Sequence, residues 1–286
     1  METPLAFAAQ VTQQASTLLM EYFKQKRIGY SVKLDQSVVT DADLAADRLI
    51  YAAIHSRYPD DLIISEELHP EYPGDSLAES KNHVTWIVDP LDGSTNFRQG
   101  LHTWGVLVTR LVDGVPQESV MQFPLLDETY LCQRGQGAFL NGERIQVIQP
   151  DPEDHTSFFS CCSRTYRQYR VQIPYKPRII GSTGFSLCCV ARGSAILGFD
   201  ATPKIWDIAG GWLLIEEAGG VIETLDGSQP FPLEKGMNYS LQSFPILAAP
   251  NPELIQYARN HIFPRQPTTS GQAKMSGEKE DKNPVI

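Results

Sequence analysis

Two aspartates three positions apart, Asp89 and Asp92, are the residues whose types and spacing most clearly indicate chemistry. They follow an apolar run that begins at Trp86, which is typical of a strand buried on both faces. Pro90 lies between them and lacks an N–H, so we expect it to end the strand ladder and let both carboxylates face one point. Carboxylate oxygens are the ligands that a hard cation such as Mg²⁺ takes. The stretch therefore predicts a cation site at the end of a buried strand.

The residues that follow the two aspartates are suited to binding a phosphate group. Gly93 permits backbone angles that other residues avoid, and Ser94, Thr95 and Asn96 are types that begin helices. The free N–H groups at a helix N-terminus favour an anion. Donors for a phosphate are therefore expected beside oxygen ligands for a cation.

Further acidic residues stand where predicted elements begin or end. Glu66 and Glu67 end a short apolar strand, Asp43 lies in the first turn of a helix, and Asp207 follows Trp206 at another helix start. Each has a structural explanation, because acids in first turns are favoured by the helix dipole and loop glutamates are usually solvated. Taken alone, Asp43 is best interpreted as a cap. With a metal site already indicated, however, these acids are candidate companions, because clustered carboxylates without cations would raise one another's pKa.

The elements that must position these groups are also predicted from the sequence. Thr3 and Pro4 begin an amphipathic helix that ends before Gly29, and Thr40 caps a second helix that runs to about Tyr58. The first half is then expected to be two helices covering an antiparallel or mixed sheet. Its strands are predicted at residues 62–64, 86–89, 104–111, 115–123 and 129–132, and the glycines at 135, 137 and 142 are interpreted as turns rather than a phosphate loop, since no helix follows them.

A boundary between two halves is predicted at Pro150-Asp151-Pro152. After it the pattern alternates strands and helices, which is typical of an α/β layer. The predicted domains are an N-terminal α+β half at 1–150, a C-terminal α/β half at 151–264 and a disordered tail at 265–286. The elements expected in the second half are strands at 157–161, 178–180 and 195–199, strands near 221 and 246, and helices from 163, at 184–191, at 206–217 and at 252–262.

Composition limits the class of protein. The 286 residues carry a net charge of −10, which argues against nucleic acid as the main partner. No apolar run approaches the ~18 residues that span a bilayer, and the N-terminus lacks the pattern of a signal peptide, so we expect a cytoplasmic location. Five cysteines in no zinc-like spacing predict reduced thiols without a metal or redox role. They are Cys132, Cys161, Cys162, Cys188 and Cys189.

In chain order, Asp43, the pair 66–67, residues 89–97 and residues 206–220 resemble the signature of the inositol monophosphatase family. That family belongs to the lithium-sensitive, magnesium-dependent phosphatases, with fructose-1,6-bisphosphatase and the 3′(2′),5′-bisphosphate nucleotidases. The resemblance spans about residues 5–262, and its two long motifs are specific. It implies an α+β or α/β fold, namely the layered αβαβα sandwich of the sugar phosphatases, usually as a homodimer.

The resemblance also implies roles for individual residues. Two or three Mg²⁺ ions would be held by Glu66, Asp89, the carbonyl of Leu91, Asp92 and Asp207. The catalytic group would be Glu66, Ser94 and Asp43, with Ser94, backed by Asp43, taking a proton from a metal-bound water that attacks phosphorus in line. Phosphate and the rest of the substrate would contact Leu91, Asp92, Gly93, Ser94, Gly181, Ser182, Thr183, Asp200 and Asp207.

The chain departs from the family pattern at three positions. Ser94 stands where most members have threonine, which keeps the hydroxyl but loses the methyl group that restricts its rotamer. Asp200 stands where inositol-specific members carry glutamate, and Lys204 is a new cation just before the Trp-Asp pair. A shorter acid and an added cation predict a different polyol or an extra anionic group on the substrate. A surface role for Lys204 is an equal alternative.

The sequence thus predicts a Mg²⁺-dependent phosphomonoesterase that acts on a small polyol or sugar phosphate. A bisphosphate nucleotidase or a fructose-1,6-bisphosphatase is the alternative within the enzymes, although nucleotidases commonly carry Asp-Gly-Thr-Lys in place of Asp-Gly-Ser-Thr-Asn-Phe. A non-catalytic protein that binds metal or phosphate is the alternative outside them. The expected partner is a small phosphorylated metabolite, with no nucleic acid and no membrane, and a homodimer is expected.

Overall fold

Two β-sheets and three groups of helices form five layers. The computed structural model describes residues 2–25, 29–32, 38–69, 71, 83–151, 153 and 156–265. Two helices cover a seven-stranded sheet, two more lie between this sheet and a five-stranded one, and a last helix covers the far side. The predicted αβαβα sandwich is therefore confirmed.

The elements are named in chain order. The helices are α1 (Pro4–Phe23), α2 (Asp41–Arg57), α3 (Ser94–Gln99), α4 (Thr165–Gln168), α5 (Thr183–Ala191), α6 (Ile205–Glu217) and α7 (Pro252–Arg259). The strands are β1 (Tyr30–Val32), β2 (Val38–Thr40), β3 (Leu62–Ser65), β4 (Val84–Asp92), β5 (Gly105–Val112), β6 (Val115–Phe123), β7 (Glu128–Gln133), β8 (Gly137–Leu140), β9 (Glu143–Ile145), β10 (Phe158–Cys161), β11 (Tyr169–Val171), β12 (Lys176–Ile179), β13 (Ala195–Asp200), β14 (Val221–Thr224), β15 (Ile246–Ala249) and β16 (Ile262–Pro264).

Helices α1 and α2 begin where their caps predict. Thr3 Oγ1 accepts a hydrogen bond from the Ala6 amide, and Thr40 forms a reciprocal capping box with Asp43. The apolar stripe of α1, which includes Val11 and Leu19, is buried against α2 and the seven-stranded sheet. None of the helices in the described part of the chain is long and apolar enough to cross a membrane.

Strand β4 is the second strand of the seven-stranded sheet that orders β3-β4-β5-β6-β7-β8-β9, and all nine of its residues are buried. It pairs in parallel with β3 and antiparallel with β5. The expectation that Pro90 ends the ladder is wrong, since the register shifts between Asp89 and Asp92 and pairing resumes between Asp92 and Gly105. A bulge accommodates a proline that cannot donate a hydrogen bond, and the strand continues past it.

The five-stranded sheet orders β12-β10-β13-β15-β14, with β12, β10 and β13 parallel. Because β10 and β13 are parallel neighbours, the loops after Cys161 and Asp200 leave the same edge. Two predicted helices are shorter than expected. The helix from Ser163 is only the single turn α4, and the last helix ends at Arg259, because β16 turns back to pair with β11.

Helices α5 and α6 lie between the sheets, and one apolar cluster joins them to both. The glycines at 135, 137 and 142 lie in turns or hairpin strands, as predicted. Arg265, expected at the start of the disordered tail, instead donates to the carbonyls of Tyr166 and Tyr169 at 3.0 Å. The rest of that tail, the segment containing Lys33 and Asp35, and Pro152 of the predicted boundary lie outside the described residues; the division into domains stays a prediction.

Gly105 on β5 pairs with Asp92 and allows the backbone of β6 to pack closely against β5. A Cβ at this position would lie 2.5 Å from both the Gln122 carbonyl oxygen and the ring of Phe123. We expect Gly105→Ala to lower the free energy of unfolding by about 1–3 kcal/mol, because a backbone carbonyl cannot rotate away from the added methyl group. Denaturant unfolding would measure the change.

Gly198 on β13 provides the matched control. Its added Cβ would come no closer than 3.3 Å, to a methyl group of Val190. Gly198→Ala should therefore change the free energy of unfolding by less than about 1 kcal/mol. Equal effects of the two substitutions would contradict the packing argument.

Candidate active site

Three carboxylates, two from β4 and one from α6, come together in the lining of a cavity of about 350 Å³. One oxygen from each of Asp89, Asp92 and Asp207 lies within 4.8 Å of the others. Glu66 lines the same cavity, but it is outside this closest group. The site therefore combines the end of β3, the end of β4 and the first turn of α6.

Asp89 is fully buried at the bulge in β4. Its Oδ1 accepts a hydrogen bond from the Leu91 amide at 3.0 Å, whereas Oδ2 has no partner among the described residues. Burial raises the pKa of Asp89 well above its usual range, and the nearby Glu66, Asp92 and Asp207 carboxylates raise it further. A buried carboxylate oxygen without a partner is stabilised by binding a proton or a cation.

Asp92 joins the two halves of the chain. Its carboxylate accepts hydrogen bonds from the Ser182 hydroxyl and from the amides of Thr183 (3.1 Å) and Gly184 (2.9 Å), at the N-terminus of α5. A Cβ on Gly184 would lie 2.7 Å from Asp92 Oδ2, so the glycine permits this close approach. Burial raises the pKa of Asp92 to about 6, although these hydrogen bonds oppose the shift.

Asp207 is held by the start of its own helix. Its Oδ2 accepts the Lys204 amide at 2.5 Å, so the carboxylate caps α6 while its side chain faces the cavity. Burial raises the pKa of Asp207 well above its usual range, with Glu66 and Asp92 adding to the effect. Glu66 follows β3, and its amide donates to the Val88 carbonyl at 3.2 Å.

Asp43 and Ser94 form a hydrogen-bonded pair beside the carboxylates. Ser94 Oγ lies 2.7 Å from Asp43 Oδ1 and 3.0 Å from the carbonyl oxygen of Leu91. The other oxygen of Asp43 accepts the amide and the hydroxyl of Thr40 at 2.9 and 2.5 Å. Burial raises the pKa of Asp43, opposed by the hydrogen bonds from Thr40 and Ser94.

The residues predicted to contact the substrate all line the cavity, whereas Lys204, for which a surface role was the alternative, does not. Gly181, Ser182, Thr183 and Asp200 all line it. Burial raises the pKa of Asp200 to about 7, and its Oδ1 has no hydrogen-bond partner in the described part of the chain. Lys204 does not line the cavity, and its Nζ donates to the Ser240 carbonyl at 2.7 Å, which favours the structural alternative for this lysine.

Several residues near the site were not found from the sequence. Buried Asp47 accepts the Glu67 amide at 3.2 Å and supports the loop that carries Glu66; its spacing of four from Asp43 on one helix is the signal that could have found it. Asn96 Nδ2 donates to the carbonyls of Thr103 (2.7 Å) and Ile180 (2.9 Å), which ties α3 to the Gly181 turn.

Two arginines in the loop after β10 were also missed. Arg164 and Arg167 line the cavity on the side of Asp200 and Thr202. Arg164 Nη1 donates to Thr202 Oγ1 at 2.9 Å. Because α4 is a single turn, no periodic pattern in the sequence indicates which way its side chains point.

The donor set fits a hard divalent cation. It consists of carboxylate oxygens, one of them buried without a partner, and the Leu91 carbonyl also lines the cavity. Mg²⁺ takes such ligands together with the oxygens of a phosphate. Asp89, Asp92 and Asp207 could therefore hold the ion, and Glu66 lines the same cavity.

Comparisons with known proteins give one consistent family. A sequence profile described as "Inositol monophosphatase family" matches residues 1–262. A histidinol-phosphatase of Chlorobaculum parvum is 32% identical over 241 residues, which is 80% of this chain and 88% of that protein. The protein called Nus factor SuhB of Escherichia coli is 30% identical over 267 residues, covering 90% of this chain and 94% of its own length.

The fold has a close structural counterpart. The structure of an inositol monophosphatase from Thermotoga maritima superposes with a TM-score of 0.71 at 25% identity. The superposition covers 90% of this chain and 96% of that one. The fold is thus that of a protein which this chain matches nearly end to end.

The burial of the acids in the site predicts an unusual dependence of stability on pH. Burial raises the pKa of Asp92 to about 6 and that of Asp200 to about 7, from 3.8 in the unfolded chain. The folded state of the metal-free protein therefore binds more protons at these pH values, so its free energy of unfolding should rise as the pH falls from about 8 to about 5. Thermal unfolding in the presence of a chelator would measure this dependence.

Adding Mg²⁺ provides the matched measurement. At pH 8 we expect Mg²⁺ at 100 times its dissociation constant to raise the free energy of unfolding by about 2.7 kcal/mol. Na⁺ at equal ionic strength should not reproduce this gain. A metal-free protein whose stability increases with pH over this range, or no response to Mg²⁺, would contradict the cation site.

Proposed function

This chain belongs to the inositol monophosphatase family, and we propose that it is a Mg²⁺-dependent phosphomonoesterase that hydrolyses a small polyol or sugar phosphate. The observation that carries the proposal is the convergence of Asp89, Asp92 and Asp207 on one cavity wall. Its volume of about 350 Å³ suits a small metabolite, since small-molecule pockets span roughly 300–1,000 Å³.

The carboxylates of Glu66, Asp89, Asp92 and Asp207 would hold two or three Mg²⁺ ions with the Leu91 carbonyl. Bound there, Mg²⁺ would neutralise the phosphate, lower the pKa of water and stabilise the leaving alkoxide. The protein holds these acids apart from bulk water by burial, so that their charge acts on the bound ions in a medium of low dielectric.

Ser94 and Asp43 would accept the proton of the attacking water. A hydroxyl has one proton, and when Ser94 Oγ donates it to Asp43 at 2.7 Å, its lone pairs are available toward the cavity. Ser94 can then take a proton from a water molecule while passing its own to Asp43. The raised pKa of Asp43 favours this role, because a carboxylate with a raised pKa is the stronger base.

The turn at Gly93 would hold the phosphate for in-line attack. Gly93 is left-handed, with φ of 87°, and precedes α3, so the amides of the first turn point away from the helix. The Gly93 and Ser94 amides would bind phosphate oxygens beside the cations. The rest of the substrate would face Ser182, Thr183 and Asp200, which line the cavity beyond this turn.

A panel of phosphate esters tests the activity. With Mg²⁺, we expect release of phosphate from at least one of inositol 1-phosphate, fructose 1,6-bisphosphate, adenosine 3′,5′-bisphosphate and histidinol phosphate. Asp89→Asn should lower kcat/KM at least about 100-fold, because it removes a ligand charge worth several kcal/mol in the transition state. Phosphate release and circular dichroism would be measured together.

Asp61 supplies the control for that panel. It lies outside the cavity and accepts the indole N–H of Trp86 at 2.8 Å, so Asp61→Asn should keep the activity. A folded wild-type protein that hydrolyses none of the esters would contradict the enzyme proposal and favour a non-catalytic binding protein.

The proton relay predicts different outcomes for two changes at one position. Ser94→Ala removes the hydroxyl and should lower kcat about 10²–10⁴-fold, the usual value of a positioned acid or base. Ser94→Thr keeps the hydroxyl and adds the methyl group of most family members, so its kcat should equal or exceed that of the wild type. Initial rates with the best ester would measure both, and equal rates for alanine and threonine would remove Ser94 from the relay.

The homodimer, the cytoplasmic location and the division at residue 150 also remain proposals. The dimer rests on the family resemblance, and light scattering would test it. The location rests on five free thiols, which suit a reducing compartment. Cell fractionation would test that location.

A further inference from the structure

The lining of the cavity has two chemically different parts. The carboxylates of the proposed metal site come from the end of β3, from β4 and from α6, and the loops after β10 and β13 add Arg164, Arg167 and Thr202. Arg164 and Arg167 contribute the only cationic side chains among the described residues that line the cavity. Positive charge that the protein supplies to the cavity thus comes from the loop after β10, an element that carries none of the proposed metal ligands.

The turn that carries the arginines is fixed. Thr165, between them, is fully buried, and its Oγ1 lies 3.3 Å from the Phe199 carbonyl oxygen. Arg164 is held by Thr202, and Arg265 donates to the carbonyl of Tyr166 at 3.0 Å. The backbone position of Arg167, which lines the cavity, is therefore set by the packing and hydrogen bonds of this turn.

The Arg167 side chain is exposed, and its guanidinium has no hydrogen bond or ion pair with any described residue. An exposed arginine is ordinarily a solvated surface residue. Here it lies in a protein of net charge −10, on the cavity that is proposed to bind the phosphate of the substrate. Guanidinium groups bind phosphate and carboxylate through paired N–H donors, more strongly than neutral donors do.

We propose that Arg167, together with Arg164, forms a second anion subsite, so that the preferred substrate is a phosphomonoester that carries a second phosphate or a carboxylate. The inference rests on the proposed function, since the ester bond would be cleaved beside the carboxylates of the proposed metal site. It assigns to the arginines the role that the sequence had offered to Lys204, whose Nζ is bound to Ser240 instead. Arg167 acts in binding and takes no part in the chemical step.

Matched substrates would test the subsite. Fructose 1,6-bisphosphate against fructose 1-phosphate isolates a second phosphate, and 2-phosphoglycerate against glycerol 2-phosphate isolates a carboxylate. We expect kcat/KM to favour the member with the second anion at least about tenfold in one pair, mainly through KM. Histidinol phosphate, whose second charged group is a cation, should be turned over less well.

Substitutions connect this preference to the arginines. Arg167→Ala should reduce the preference about tenfold by raising KM for the substrate that carries the second anionic group. Arg167→Lys should restore part of the preference. Arg170→Ala is the control: it removes the same charge three residues away, where the guanidinium lies over the Phe263 ring outside the cavity. It should leave the preference unchanged.

The two failures are distinguishable. Turnover with no preference in either pair, or a preference that survives both Arg164→Ala and Arg167→Ala, would overturn the subsite and leave the phosphatase proposal standing. If no ester is turned over, the phosphatase proposal fails, and calorimetric binding of the same pairs decides the subsite. Binding that favours the second anion and is lost in Arg167→Ala would support it, whereas equal binding would overturn it.

Discussion

Mutual repulsion between buried carboxylates is the constraint on which the rest of this structure depends. Glu66, Asp89, Asp92 and Asp207 are gathered at one wall, where burial and their shared charge raise the pKa of the three aspartates. Such an arrangement lowers the stability of the fold unless a cation is bound, so other interactions must supply the free energy that offsets this cost. The two sheets and the buried helices between them provide it, since one apolar cluster extends through both.

Three carboxylates of the site also accept hydrogen bonds from backbone amides at the starts of helices. Asp92 accepts the amides that begin α5, Asp207 caps α6, and Asp43 completes the capping box of α2. These bonds fix the side chains in one rotamer before any ligand arrives, which a site of several charges requires. The structural and the chemical interpretations of Asp43 and Asp207 are therefore not alternatives, because the capping hydrogen bond orients the same carboxylate that belongs to the site.

The part of the site that could be predicted is the part indicated by short sequence patterns. A buried strand followed by two aspartates, and helix starts with acids at their third position, are signals within a few residues. Contacts across 80 or more residues give no such signal: Asn96 reaches the Ile180 carbonyl, and Asp92 reaches Thr183. Pro90 shows the limit of a local rule, since a bulge let the strand continue where the missing N–H predicted its end.

The division of labour between the sheets explains why specificity was the hardest property to predict. The cation end is built mainly on β3 and β4 of the seven-stranded sheet, where the long motif lies. The rest of the lining comes largely from the loops after β10 and β13, which leave the same edge because these strands are parallel neighbours. Side chains in such loops can vary while backbone contacts, such as that of the Lys204 amide with Asp207, are kept. One hydrolytic site can thus serve different substrates. In this chain Asp200 and Arg167, rather than Lys204, belong to the variable part of the cavity lining.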